Sequence, residues 1–401
     1  MLFNLKQNDI HALKSYERHG YNHSYLERYF YDPIAQKISK YFLNKVNPHV
    51  ILGSAFAIDA ISFLLPFLFV SEPNIILQSL ISLLNGLITI LYQIAQKSSK
   101  KMFQELETNN AYLNFIMVAS NSIITTVEVM KFFQSLGFGV TSVNIYIIVA
   151  VGFDIFTNSW AEYCKKSYLY HSISFVDEGI AIFALIQIIN CFIPKFYTKI
   201  KAGKLIYLMI GLFSLNIVDN LISVIITADF ANDYSLIVVS VFPGIFVILT
   251  ALTCDFVTYS AFLDPYFFVC VGLEFGYLCE YMFIISMLNR PAKDLYNLGS
   301  VLHYILLVLP SLGILRNNPE YWFYCFWTII IDIVMFDYRM YKNITMVMHD
   351  EANESLLDNK QENSDNPEPN INEFNNMETI SLVEHTKPGK EPVPLFPPMI
   401  Q

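Results

Sequence analysis

The chain has 401 residues, 54% hydrophobic and 15% charged, with a formal net charge of −10 and a mean hydropathy of +0.42. That is too apolar for an ordinary soluble globular protein. No basic patch with interleaved aromatics is present, which argues against a nucleic-acid partner. Much of the acid behind the net charge sits in the C-terminal tail.

Residues 1–47 are mixed, with Lys6, Lys14, Arg18, Arg28, Lys37, Lys40 and Lys45 set among aromatics. The first long apolar run comes too late for a signal peptide and lacks a small-residue cleavage site, and Asp9 and Glu17 argue against a transit peptide. The pattern predicts an amphipathic segment lying on the membrane surface.

Residues 48–345 predict an all-α, polytopic transmembrane domain with small-residue contacts between helices. Apolar runs of the length a bilayer needs give about ten candidate spans: 48–70, 75–95, 112–134, 142–162, 177–194, 204–227, 235–256, 266–288, 299–316 and 321–345. The loops at 96–111, 163–176 and 289–298 carry Lys97, Lys100, Lys101, Lys165, Lys166, Arg290 and Lys293. The opposite side would hold Lys195, Lys199, Lys201, Lys204 and Arg316. This bias predicts both termini on one side, the cytosolic or its organellar equivalent. Tyr321, Trp322, Phe323, Tyr324 and Trp327 read as an interfacial aromatic belt.

The 6 cysteines lie in or beside apolar runs without a C-x-x-C pair, and the 8 histidines are scattered without H-E-x-x-H. Neither set predicts a disulfide framework or a zinc site. Asp59, Glu128, Asp154, Asp219, Glu274, Glu280 and Asp332 fall in or near the spans. Intramembrane acids suggest either an ion path or a polar-lined cavity. No internal repeat or paired broken helices mark a transporter.

Residues 346–401 are acidic and rich in Asn and Pro, without periodicity. They predict an extended tail that cannot fold alone. Its closing VPLFPPMI puts Leu395, Phe396, Met399 and Ile400 forward as a plug for apolar pockets on a partner.

The stretch Tyr92–Ser122, YQIAQKSSKKMFQELETNNAYLNFIMVASNS, carries the most specific pattern. Tyr92-Gln93 opens it and Ser122 closes it at the spacing of a known signature, D-x-x-D-G-x-x-A-R-(x)8-G-x-x-x-D-x-x-x-D. Upstream stand Glu17-Arg18-His19-Gly20-Tyr21, Ser24-Tyr25-Leu26-Glu27 and Pro48-His49-Val50-Ile51. Downstream stand Trp160, Tyr163 and Phe175-Val176-Asp177-Glu178. In these features the chain resembles the CDP-alcohol phosphotransferase family, which completes phosphatidylcholine and phosphatidylethanolamine synthesis, and the resemblance runs from about residue 14 to 195. It implies about ten spans and an active site built from four metal-holding aspartates.

Here those four positions are Gln96, Ser99, Met117 and Asn121, and the signature's Gly, Ala-Arg and second Gly fall on Lys100, Phe103-Gln104 and Leu113. Hard divalent cations require oxygen ligands, chiefly carboxylates, and phosphoryl transfer depends on the charge they neutralise. The expectation is a pseudoenzyme with no catalytic residues, no metal and no cofactor, and with a lipid tail in the space these positions border. Lys97, Lys100 and Lys101 are candidates for an anionic headgroup such as cardiolipin. The implied role is a structural or lipid-binding accessory subunit of a large membrane complex. Its partners would be other subunits and phospholipids, first in a respiratory assembly of the mitochondrial inner membrane and second in the endoplasmic reticulum. The alternatives are a phosphotransferase with a rebuilt site, or a transporter.

Overall fold

The computed structural model describes residues 5–16, 20–22, 24–43, 45–63, 75–106, 110–135, 142–166, 168–170, 175–193, 202–227, 230–258, 265–296, 298–311 and 319–364. Met1–Asp350 form one compact unit and Glu351–Gln401 a second. Among its described residues the first unit is helical, apart from turns and one short parallel strand pair in which Gly20–Asn22 meets Tyr168–Tyr170.

Helix α1 spans Gln7–Lys14, and the Lys6 amide donates to Asp9 Oδ2 (2.6 Å) at its start. A π-helical turn, Glu27–Tyr31, leads into α2, Asp32–Phe42. Ser24 caps this run, its hydroxyl accepting from the Glu27 amide at 3.0 Å. Helix α3, Pro48–Ser62, starts where Asn47 accepts from the His49 amide and Pro48 takes a position that needs no N–H. The remaining helices are α4 (Ile75–Glu105), α5 (Asn110–Ser135), α6 (Ser142–Lys165), α7 (Ile180–Phe192), α8 (Ala202–Thr227), α9 (Phe230–Thr258), α10 (Pro265–Met287), α11 (Leu298–Ser311) and α12 (Pro319–Ser364).

A helix therefore stands at each of the ten expected positions. Five segments are long and apolar enough to cross a membrane: Ile76–Glu105, Asn110–Phe133, Met209–Ile226, Tyr266–Met287 and Glu320–Val347. Pro48–Ser62, Ile237–Thr253 and Val301–Pro310 are shorter apolar helices. On length and composition, the ten expected crossings reduce to five among the described residues.

Exposure runs opposite to that of a soluble protein. On α4, Leu80, Leu84, Leu87 and Leu91 form an exposed stripe at helical spacing, while Ser82, Asn85, Thr89, Gln93 and Gln96 are buried. Leu215, Val218, Ile222 and Ile225 repeat the pattern on α8, as do Ile331 and Val334 on α12. An apolar outside with polar groups tucked inward fits lipid as the solvent.

Helix α10 forms the centre, with 94% of its span buried, and it packs against α5 and α6. Gly272 and Gly276 let it approach α5 closely. A Cβ at Gly276 would lie 2.9 Å from the Ser122 carbonyl oxygen, and one at Gly272 would lie 2.6 Å from Thr126 Cγ2. This Gly-x-x-x-Gly contact is the small-residue packing that membrane helices favour where lipid removes the usual hydrophobic drive. Helix α4 packs on α7, where Ser82 Oγ donates to the Gln187 carbonyl at 2.8 Å. Helices α2 and α3 flank α4, and α8 and α9 flank α6.

Two expectations need correction. Trp322 is buried against Phe267, with ring centroids 4.6 Å apart, so it belongs to the core; Phe323, Tyr324 and Trp327 are exposed. Helix α12 runs on to Ser364, so the first part of the expected extended tail is helical. Leu, Glu, Lys and Gln in residues 351–362 are good helix formers and continue a helix already nucleated upstream. Residues 365–401 lie outside the described residues, and with them Leu395, Phe396, Met399 and Ile400.

Candidate functional site

The α4–α5 hairpin brings the signature positions together. On α4, Tyr92, Gln96 and Ser99 share one face, since three- and four-residue steps return to the same side. Across from it, α5 presents Met117, Ser120 and Asn121. Gln96 Nε2 donates to Asn121 Oδ1 at 2.6 Å, and lies 3.2 Å from Ser120 Oγ and 3.3 Å from the Tyr92 hydroxyl. Ser99 is fully buried, and its hydroxyl has no hydrogen-bond partner among the described residues. Met117 is buried in the apolar core together with Phe103 and Leu113.

Two of the four signature positions thus meet as a neutral amide pair, a third is a thioether and the fourth a hydroxyl. This arrangement can bind an amide or a hydroxyl, but it supplies no carboxylate to a dication. Among the described residues no three His, Cys, Asp or Glu side chains converge as a metal site.

Next to this cluster, Ser122 Oγ donates to Glu280 of α10, and the Asp337 carboxyl of α12 lies beside Glu280. The cavity lined by Ser122, Thr125, Gly272, Phe275 and Gly276 holds about 20 Å³. That is room for about one water molecule, and not for an acyl chain.

The three lysines proposed for a headgroup are met by acids of the same chain. Lys97 Nζ lies 3.1 Å from Glu27 and 2.9 Å from Asp177. Lys100 lies 3.6 Å from Glu27, and Lys101 lies 3.5 Å from Asp32. Burial alone would raise the Glu27 carboxyl, but Lys97 and Lys100 outweigh it and hold it below the usual range.

Two further contacts fasten the N-terminal segment. Glu178 accepts from Ser24 Oγ (2.6 Å) and the Leu26 amide (3.1 Å), placing a carboxylate at a helix N-terminus. Arg290 makes a forked pair with Asp9, Nε to Oδ1 at 3.0 Å and NH2 to Oδ2 at 2.6 Å. Burial pushes the Asp9 carboxyl up, yet the Arg290 bonds and the Lys6 amide leave it lowered overall. The 96–111, 163–176 and 289–298 loops each contact the N-terminal segment, through Lys97 on Glu27, Tyr168–Tyr170 on Gly20–Asn22 and Arg290 on Asp9.

The intramembrane acids are distributed over several local groups. Lys131 Nζ bonds Asp59 Oδ1 (2.6 Å), Glu128 Oε1 (2.9 Å) and Thr89 Oγ1 (2.9 Å), all with fully buried side chains. Asn216 donates to Asp154 at 2.5 Å, while Asn220 bonds Asn158 at 3.0 Å. His303 Nδ1 meets Glu274 at 2.9 Å, and its Nε2 lies 3.4 Å from Asp332. Asp219 is exposed beside Lys165. The acids fall in separate clusters, and Asp59 Oδ2, Asp154 Oδ2 and Glu274 Oε1 are buried without a hydrogen-bond partner among the described residues.

The sequence reading missed Lys131, His303 and Asp337. The signal for Lys131 was present: a lysine inside the apolar run 112–134, three residues from Glu128, is a costly intramembrane charge that must find a partner.

No protein-family model matches the chain, and no curated protein matches it either.

Proposed function

We propose that this chain is a CDP-alcohol phosphotransferase-like membrane protein without catalysis, serving as a structural and lipid-binding accessory subunit of a large membrane complex. The observation that carries this reading is the 2.6 Å hydrogen bond from the Gln96 side-chain amide to that of Asn121. It occupies two positions where the resemblance requires metal-holding carboxylates. An amide pair cannot neutralise a diphosphate through a dication, so the reaction loses its main electrostatic support.

The buried polar clusters then act as internal fasteners of a rigid bundle. A respiratory assembly of the mitochondrial inner membrane is the first setting and the endoplasmic reticulum the second. The test has two arms. Purified protein given CDP-choline or CDP-ethanolamine, diacylglycerol and Mg²⁺ or Mn²⁺ forms no product above a mock preparation. Extraction in mild detergent brings down other membrane subunits in fixed stoichiometry. Metal-dependent product, or a lone monomer, overturns the reading.

A rebuilt phosphotransferase is the second reading, favoured by the buried carboxyl pair Glu280 and Asp337 beside Ser122. It predicts product that disappears in Glu280→Gln.

A further inference from the structure

A cleft opens where α2 hands over to α3, with a volume of about 470 Å³. Its lining combines polar Lys45, Asn47 and His49 with apolar Leu43, Val46, Pro48, Phe103 and Leu106. His49 is fixed there, its Nε2 3.2 Å from the Tyr112 hydroxyl and its ring edge-on to Phe103 at 4.7 Å. A mixed lining of this kind fits a molecule with a charged head and a hydrocarbon body.

The charge in the cleft is available. Unlike Lys97, Lys100 and Lys101, Lys45 has no carboxylate within ion-pair distance among the described residues, and its Nζ sits 3.6 Å from the centre of the Tyr41 ring. The N-terminus of α3 also opens here, adding the positive end of a 15-residue helix.

Depth follows from the neighbours. Helix α2 and its leading turn expose Tyr29, Phe30 and Tyr41 together with Arg28, Lys37 and Lys40, the mixture that settles at the headgroup level. Helix α3 starts an apolar run from the same point.

We propose that this cleft binds an anionic phospholipid, with the phosphate on Lys45 and an acyl chain along Leu43, Val46, Phe103 and Leu106. The proposal deepens the lipid-binding half of the function above and rests on it, but not on the loss of catalysis or on any partner subunit. A zwitterionic lipid carries its own cation near the phosphate and gains less from Lys45.

The test uses the full-length protein purified in mild detergent, with phosphatidylglycerol, phosphatidylcholine or inorganic phosphate added. Thermal unfolding and native mass spectrometry are the readouts. Phosphatidylglycerol is expected to raise the midpoint and stay bound, phosphatidylcholine to do so more weakly, and inorganic phosphate to do nothing. Lys45→Glu should weaken phosphatidylglycerol retention at least about fivefold, the worth of one lysine near an anionic surface. Lys40→Glu, exposed and outside the cleft lining, should change it little.

Lys45→Gln serves as a milder variant should Lys45→Glu fail to purify. Equal retention by the Lys45 variants and wild type overturns the site. A response to inorganic phosphate as large as to the lipid overturns the lipid assignment. Product formation or a missing partner would overturn the proposed function while leaving this result unchanged.

Discussion

Two polar clusters share the α4–α5 hairpin, and they answer buried polarity in opposite ways. Gln96, Asn121, Ser120 and Tyr92 form a neutral cluster of amide and hydroxyl groups. About two helical turns away, Thr89, Glu128 and Lys131 join Asp59 of α3 in a charged one. From Gln96 back to Thr89 and from Asn121 on to Glu128 the antiparallel register is the same, so one helix pairing sets both.

The neutral cluster stands where the resemblance places metal chemistry, and it carries no charge. The charged cluster keeps two carboxylates, but an ammonium closes them off. Buried carboxylates are therefore not by themselves a sign of activity. What matters is whether they face an open ligand position or an internal counter-ion.

Removing the counter-ion should separate the clusters most sharply. Lys131→Met leaves two buried carboxylates unpaired and should cost roughly 3–5 kcal/mol. It should appear as loss of folded protein on size-exclusion in detergent. Neutralising all three groups (Asp59→Asn, Glu128→Gln, Lys131→Met) should restore much of that stability. If Lys131→Met alone is as stable as wild type, the cluster does not fasten α3 to α5.

Packing beside the neutral cluster comes next. Gly276→Leu forces a side chain onto the Ser122 carbonyl and should cost about 3 kcal/mol, read as a lower thermal midpoint. Gly211→Leu is the control, because no atom lies within 4 Å of a Cβ there. It should behave like wild type.

Gln96→Ala tests the neutral cluster itself. It leaves the Asn121 carbonyl without its donor and should cost about 1–2 kcal/mol, clearly less than Lys131→Met. Equal costs would erase the contrast drawn between the clusters.

The smallest effect lies outside both, at Asp9 and Arg290. The folded-state carboxyl of Asp9 is lowered, so its contribution is present above the ordinary carboxylate value near 4. It is lost as pH falls through the lowered folded value. With one partner partly exposed, about 1 kcal/mol is at stake. Limited proteolysis of residues 5–42 should quicken below about pH 4, and Arg290→Gln should remove that added pH dependence. An unchanged profile in Arg290→Gln would show that Asp9 is held by something else.

Much of the fold was legible because lipid simplifies the code. A solvent that bonds no backbone group forces helices, so apolar run length alone located a helix at each expected position. The Tyr92–Ser122 stretch was legible as a frame, and spacing along α4 and α5 brought Gln96 and Asn121 to one level. The roles of Lys97, Lys100 and Lys101 were not legible. Glu27, Asp32 and Asp177 lie far from them in sequence, and only folding brings the N-terminal segment across α4. Trp322 misled for a similar reason: an aromatic run looks like a belt until one ring turns inward onto Phe267.

The sequence by itself determined a helix-rich membrane chain with about ten apolar runs, and the absence of aspartates from the signature positions. Each of these is a local property of run length or residue type. The tertiary structure alone decided which charges cancel, where α10 meets α5 on two glycines, and that Lys45 beside its cleft has no acid within ion-pair distance among the described residues. Those outcomes depend on contacts between residues far apart in the chain, and side-chain charge and size are spent only once the helices have met.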